Sequence, residues 1–447
     1  SPFAPTPNTP PVAVNDSYTT PHNTPVVLNP LQGDTDPEND ALSITSINGV
    51  TLTPGTAQSI PVTNGVVTVA ADGTITFTPN TGFVGQVSFP YTISDGHGGT
   101  SQAIETITIT NTAPELTSGS ARVSEEGLVG GLADSNGDDL TNSRTFNGSL
   151  VVENVETTVG LTYAFTGVPS DVLTSNGVAV VWALDTATNT VTGTAGALTI
   201  ITVVLNSATG DYTVTLDGAV DHADNSVEDI LDFTIPTSVT DNHGATAAST
   251  LNVIVEDDGP SVTTNAVLTV LEVDETVLTT NDSENFASAF TVNTYGADGQ
   301  ALSNALVYSL GISSVGAVSG VIDVATGQAV YLYQEGADIV GRVGSAGAPD
   351  AGGAEAFRIS VNAGTGEVTL DQVRALEHPN SAQPNELINL TTNAVTLTAT
   401  VTDKDGDSAT ASISLGDKVG FRDDAPTITP TGVVVILEVD ETTLATD

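Results

Sequence analysis

The sequence predicts an all-β protein made of antiparallel β-sandwich domains strung end to end. Strand-length runs alternate apolar and polar residues, and no 12-residue window carries a persuasive 3.6-residue apolar period. The 43 glycines and 22 prolines in 447 residues favour frequent turns over long helices. Three segments also end alike, which marks successive domain ends.

Taken in order, residues 1–11 (SPFAPTPNTPP) carry five prolines and read as an extended linker. VVTVAADGTITFTP at 66–79 predicts a hairpin around Asp72-Gly73. LTIITVVLNSATGDYTVTL at 198–216 and EAFRISVNAGTGEVTLDQV at 355–373 predict two more. VAVVWAL at 178–184 reads as a buried strand with Trp182 in the core. Tyr331 and Tyr333 alternate with apolar residues, so one face of their strand is open to solvent in this reading. The best helical candidate is the short LDQVRAL at 370–376.

The repeated endings are YTISDGHGGTSQAIETITITNTAP (91–114), VTDNHGATAASTLNVIVEDDGP (239–260) and VTDKDGDSATASISLGDKVGFRDDAP (401–426). Each has an Asp entry, a Gly-containing loop, an alternating strand and a polar link to Pro. LEVDETVLTTND at Leu271 recurs as LEVDETTLATD at Leu437, and EDDGPSV at Glu256 as RDDAPTI at Arg422. Both offsets are 166 residues. The organisation expected is a linker at 1–11, domains at 12–111, 112–258 and 259–425, and at 426–447 the opening of a further repeat. A chain that lacks Met and begins with Ser1 is expected to be a processed product or a piece of something longer.

Asp and Glu number 54 against 8 Lys and Arg, giving a formal charge of −46. Charged residues are only 14%, so the imbalance reflects missing bases. Such a field repels nucleic acid and anionic membranes and makes divalent cations the natural counter-charge. Zero Cys excludes disulfides, thiolate metal sites and a Cys nucleophile. The longest apolar runs are strand-length, far short of the ~20 residues of a membrane helix.

The acids cluster in turns. Carboxylates at alternate positions converge on a hard cation such as Ca²⁺, which takes about six to eight oxygen ligands, when a Gly permits the turn. DKDGD offers Asp403, Asp405 and Asp407. DSNGDD offers Asp134, Asn136 and Asp138, and DTDPEND offers Asp34, Asp36 and Asp40. Asp95 and Asp241 open two of the repeated endings. Near the proposed junctions stand Asn15, Asp16 and Glu125. They are joined by Glu256, Asp257 and Asp258, by Glu272, Asp274 and Glu275, and by Asp423 and Asp424. All are candidate calcium ligands. The competing reading is solvated turn residues, since Asp, Asn and Gly dominate turns in general.

On these motifs the chain resembles the repeat region of very large RTX-type bacterial adhesins exported by type I secretion. AVNDSYTT (13–20), DTDPENDALSI (34–44) and YTISDGHGG (91–99) resemble a bacterial cadherin-like or Ig-like repeat. SEEGLVGGLADSNGDDL (124–140), with its VTDNHG ending, is similar to the ~143-residue repeat of type I-secreted proteins. LEVDET, YGADGQ (295–300), TLDQVRALEHP (369–379) and VTDKDGDSATA resemble a domain of unknown function repeated in such adhesins. The GGxGxDxUx nonapeptides that name the RTX class are absent from this sequence. The resemblance implies an extracellular or cell-surface spacer, stiffened by calcium at its domain junctions and serving attachment or biofilm formation. Its partners would be neighbouring repeats. A host or abiotic surface, or a matrix polysaccharide, would be reached through other domains. The alternative is a segment of an extracellular filament assembled head-to-tail or by strand exchange, with VVVILEV at 433–439 as the exchanged strand.

Catalysis is disfavoured. No H-E-x-x-H, G-x-S-x-G or P-loop is present, and His97 and His243 occupy matching places in two repeated loops. Lys–Asn cross-links are equally poor, because the two lysines, Lys404 and Lys418, lie in the third domain.

Overall fold

A computed structural model describes residues 7–133, 140–153, 160–223, 229–380, 382–424 and 432. Its described residues are strands and turns with four single-turn 3₁₀ segments. Two compact units result, one of residues 1–128, 138–221 and 229–257, the other of 129–137, 222–228 and 258–447.

The first unit contains two sandwiches. In the first, a five-stranded sheet (Asp16–Pro21, Thr100–Thr110, Gly85–Ser94, Ser43–Ile47, Val50–Thr51) faces a four-stranded one (Val26–Leu28, Ile75–Pro79, Gly65–Val69, Gln58–Val62). Alternation drives the packing. Ile60, Val67, Phe77, Tyr91, Ile93, Ile107 and Ile109 point inward and are almost wholly buried. The hairpin around Asp72-Gly73 forms where expected, with Gly73 at φ 88° and the Asp72 carboxylate accepting from Thr74 N–H at 2.9 Å.

The second sandwich pairs a four-stranded sheet (Gly119–Ser124, Thr246–Glu256, Ile230–Thr240, Thr162–Phe165) with a six-stranded one built by the hairpins from Thr145–Ser149 to Asp211–Leu216. Trp182 is half-buried rather than central, its ring 4.9 Å from that of Phe233. The second unit's sandwich has a six-stranded sheet from Asp282–Asn285 to Glu367–Gln372 opposite two three-stranded sheets.

Two local expectations are overturned here. Residues 370–372 of the helical candidate end the strand Glu367–Gln372, because Leu370 and Gln372 continue the inward rows of the six-stranded sheet. Tyr331 and Tyr333 are both buried, at 7% and 9% exposure, instead of showing one open face.

Each sandwich shares one departure from antiparallel pairing. A strand near the start of each runs parallel to its last: Asp16–Pro21 with Thr100–Thr110, Gly119–Ser124 with Thr246–Glu256, and Leu271–Asp274 with Val419–Arg422. Chain entry and exit therefore lie at opposite poles of each sandwich.

Asn189 ties the second sandwich's sheets together. It is 5% exposed, and its carboxamide accepts from Phe165 N–H and donates to the Tyr163 and Leu205 carbonyls. Asn189→Ala strands these groups away from water at a positive φ of 52°. It is expected to destabilise the protein by about 3 kcal/mol, measured as a lowered urea midpoint with unchanged slope.

Candidate metal centres

The three repeated endings fold into one loop type. In each, two long antiparallel strands meet at a pair of residues, Ser94 with Thr100, Thr240 with Thr246, and Thr402 with Ser408. Inside that pair the Asp N–H bonds the carbonyl four residues on. The bonds are Asp95 to Gly99 at 3.3 Å, Asp241 to Ala245 at 2.9 Å and Asp403 to Asp407 at 3.0 Å.

Side chains then separate the loops. Asp95 Oδ1 accepts from His97 and Gly99 N–H at 2.8 and 2.9 Å, and its Oδ2 accepts from the Asn8 amide at 2.8 Å. Asp241 does the same with His243 and Ala245 N–H, both at 2.9 Å, and with the Asn111 amide at 3.1 Å. These two carboxylates close their loops and fasten the preceding segment to them. The Asn8 hydrogen bond, followed by loop N–H donors, holds Asp95 below the usual carboxylate range. For Asp241, burial pushes upward, but the Ala245 N–H and the Asn111 amide prevail and hold it low.

The third loop inverts this pattern. Where the others offer N–H donors and small residues, it places Asp405 and Asp407. Asp403 is 1% exposed and Asp407 4%, while Lys404 between them is exposed. Asp403 Oδ1 accepts from Gly406 N–H at 3.0 Å, and its Oδ2 finds no donor among the described residues. Asp405 accepts from the His222 N–H at 3.2 Å. Burial first, then the neighbouring Asp405 and Asp407 carboxylates, push Asp403 up to about 8. Gly406 supplies the turn at φ 121°. The loop thus holds three carboxylates at alternate positions, oxygen donors of the kind a hard cation takes.

A second concentration of acid lies at the entry pole of the first sandwich. Tyr91 Oη is 2.7 Å from the Val14 carbonyl, 3.2 Å from both Asp34 oxygens and 3.4 Å from Asp16 Oδ2. Asp34 also accepts from Val14 N–H at 2.7 Å. Facing Asp16 across the parallel pair is Glu105, a completely buried carboxylate on the core side of its strand. Burial, then the Asp16 and Asp34 charges, raise Glu105 to about 8.

Other candidate ligands have structural partners of their own. Asn15 accepts from Ile104 N–H, Asp36 accepts from Glu38 and Asp40 N–H, and Asp40 sits 3.1 Å from His97. Glu125 accepts from Val220 N–H at 2.7 Å. Glu256 is held by Arg122 and by the Leu140 and Thr141 N–H groups. Asp257 is buried, and its N–H bonds the Asp229 carbonyl. Asp258 accepts from Leu132 and Ala297 N–H.

Glu272, Asp274 and Glu275 do not converge. Glu272 pairs with Arg422, Asp274 caps a 3₁₀ turn through Thr276 N–H, and Glu275 accepts from the Gln372 amide and Leu376 N–H. Asp423 is half-buried and Asp424 exposed. Asp134, Asn136 and Asp138, and the second LEVDET segment, lie outside the described residues.

Residues 8–110 match the Bacterial Ig domain family (Big_9), and residues 270–416 match a domain of unknown function, DUF5801. Residues 8–110 thus carry a bacterial Ig-type domain, in a chain of tandem β-sandwiches. Among solved structures, mouse cadherin-23 EC22-24 aligns over 93% of this chain and 99% of its own at 13% identity and a TM-score of 0.26. Human CDH23 EC21-23 aligns over 92% and 100% at 12% identity and 0.26. PcdhgB3 EC1-4 aligns over 92% and 76% at 12% identity and 0.24. No curated protein matches the chain.

Four buried acids are absent from the candidate ligands, namely Glu105, Glu126, Asp298 and Asp323. For Glu105 the signal is present in the sequence. It interrupts the inward row Ala103, Ile107 and Ile109 of an alternating strand, where an acid needs a reason.

The loop geometry separates two behaviours. Asp241→Ala removes the acceptor for two backbone N–H groups and the Asn111 amide. It is expected to destabilise by about 1–2 kcal/mol and to speed hydrogen exchange at residues 243–245, by the same margin with calcium or with chelator.

Proposed function

We propose that this chain is a calcium-stiffened spacer from a secreted or cell-surface bacterial adhesin of the RTX type, exported by type I secretion and supporting attachment or biofilm formation. The Ig-like repeats are its structural modules. Neighbouring repeats of the parent protein are its immediate partners, and other domains reach the host or abiotic surface or matrix polysaccharide.

The observation that carries this reading is the Asp403–Asp405–Asp407 loop. Three carboxylates at alternate positions share a largely buried turn whose only nearby base in sequence, Lys404, is exposed. The positions two and four residues on, His97 and Gly99 or His243 and Ala245 in the other loops, are Asp405 and Asp407 here. Like charges in a desolvated loop repel unless a cation or a proton joins them. Calcium binds oxygen donors at this spacing, outside the cell it is abundant, and each carboxylate it ligates then holds the loop closed. The −46 net charge supports the same reading, because bound divalent ions relieve the self-repulsion that works against compaction. Folding linked to the ion suits a protein that crosses a membrane unfolded and compacts outside.

The test is a sign inversion. In chelator, Asp403→Asn is expected to melt at or above the parent's temperature, because it relieves repulsion. In millimolar calcium it is expected to melt several degrees below the parent, because it removes a ligand. The parent should also gain melting temperature on adding calcium and become more extended and less variable by small-angle scattering. Identical melting and scattering of the parent with calcium and with chelator would refute the proposal.

A further inference from the structure

The six-stranded sheet of the second sandwich ends on an edge that is only partly covered. Its strand Val178–Asp185 pairs on one side with Thr190–Ala195. On the other side it meets only the two-residue strand Thr174–Ser175, at Val178 and Ala179. Val180 N–H donates to the Leu173 carbonyl at 2.8 Å on that same side. Backbone groups alternate sides along a strand, so the N–H and C=O of Trp182 and Leu184 point there too. Among the described residues nothing pairs with them.

Other open edges are blunted. Gln58–Val62 holds Pro61, and Asp282–Asn285 holds Asp282 and Glu284. Val178–Leu184 holds neither proline nor charge, and no charged residue occurs from 172 to 184 in a chain whose net charge is −46. The strand is also apolar on both faces. Trp182 and Leu184 pack against the core yet stay half-buried, because nothing lies beyond them at the edge. On the outer face Val181 is 65% exposed, with Ala183 exposed beside it.

We infer that this edge docks a second copy of the chain, whose own Val178–Asp185 strand adds to the sheet antiparallel, with Ala183 on the twofold axis. The strand is complementary to itself in that register. Trp182 falls opposite the second copy's Leu184, and both carry open N–H and C=O groups, so each such pair exchanges its ladder hydrogen bonds. Opposed residues share a face, so each indole is covered by the other copy's Leu184, which completes the packing that one sandwich leaves open. Asp185 falls opposite Val181, about 14 Å along the strand from its own counterpart. That exceeds the ~8 Å reach of charge at physiological ionic strength. A second copy is the occupant this edge selects, because here two chains of charge −46 meet without opposing acids. The Leu173 carbonyl and Thr174–Ser175 stop the ladder at Val180, so the assembly closes as a dimer. No candidate calcium ligand takes part, so the dimer stands or falls apart from the Asp403 loop.

The experiment uses the full chain. Trp182 is its only tryptophan, so intrinsic fluorescence reads this edge alone. Sedimentation from micromolar to millimolar concentration is expected to show a monomer–dimer equilibrium that tightens as added salt screens the acids. With the same midpoint, Trp182 emission should move to shorter wavelength and resist acrylamide quenching. Ala183→Lys, on the exposed outer face, sets two lysines against each other at the axis and is expected to weaken the dimer by about tenfold or more. Val181→Lys sets a lysine opposite Asp185 and is expected to tighten it severalfold. Both variants change the net charge equally, so opposite signs report the register and not the overall field. A chain that stays monomeric at millimolar concentration overturns the assignment. So does a dimer that leaves Trp182 emission unchanged, or a pair of lysine variants that shift the equilibrium in the same direction.

Discussion

The structure is governed by a shortage of positive charge. Buried carboxylates need donors, and eight basic side chains must serve 54 acids. Those bases go to a few sites. Arg374 clasps the fully buried Asp323, Arg342 and Arg358 share Glu335, Asp338 and Glu355, and Arg122 and Arg422 hold the glutamates of two parallel ladders. Most other buried acids are satisfied by backbone. Asp95, Asp241, Asp258 and Glu125 all accept N–H groups from loops. This is an economical arrangement, since an N–H that closes a turn needs an acceptor anyway. Two places concentrate acid most: the Asp403 loop and the Glu105 cluster. Both lie where strands begin or turn, and both raise a carboxyl to about 8.

Much of the architecture was legible in the sequence because its signal is local. The hairpins at 66–79, 198–216 and 355–373 announce themselves by alternation around a turn, and the three repeated endings become one loop with one closing hydrogen bond. The site was less legible because an Asp in a turn has two uses that look alike in sequence. Asp95 and Asp241 accept N–H groups, whereas Asp403 crowds against other acids. The difference lies two and four residues downstream, where His and Gly or Ala stand in two loops and Asp in the third. Glu272, Asp274 and Glu275 mislead for a related reason. They are close in sequence, but a strand sends Glu272 to Arg422 while the following 3₁₀ turn carries Glu275 toward Gln372. The candidate at 370–376 failed as a helix because the sheet neighbours of its first residues, which no local window sees, decide their backbone.

The parallel closing pair connects charge to mechanics. Because the first and last strands run side by side in the same direction, a pull on the two ends of one sandwich slides them past each other, loading all the ladder hydrogen bonds together instead of peeling them one by one. Such a ladder is as strong as its first rung allows. In two sandwiches an arginine on one strand reaches a glutamate on the other, which resists that sliding. In the first, the opposing residues are Asp16 and Glu105, and burial with the Asp16 and Asp34 charges raises Glu105 to about 8, so a proton stands where the other ladders have an arginine. A proton on one carboxyl is enough to let two acids share that rung. A proton makes that rung conditional, weaker where rising pH leaves both carboxyls charged. An arginine cannot do this, because its charge is permanent.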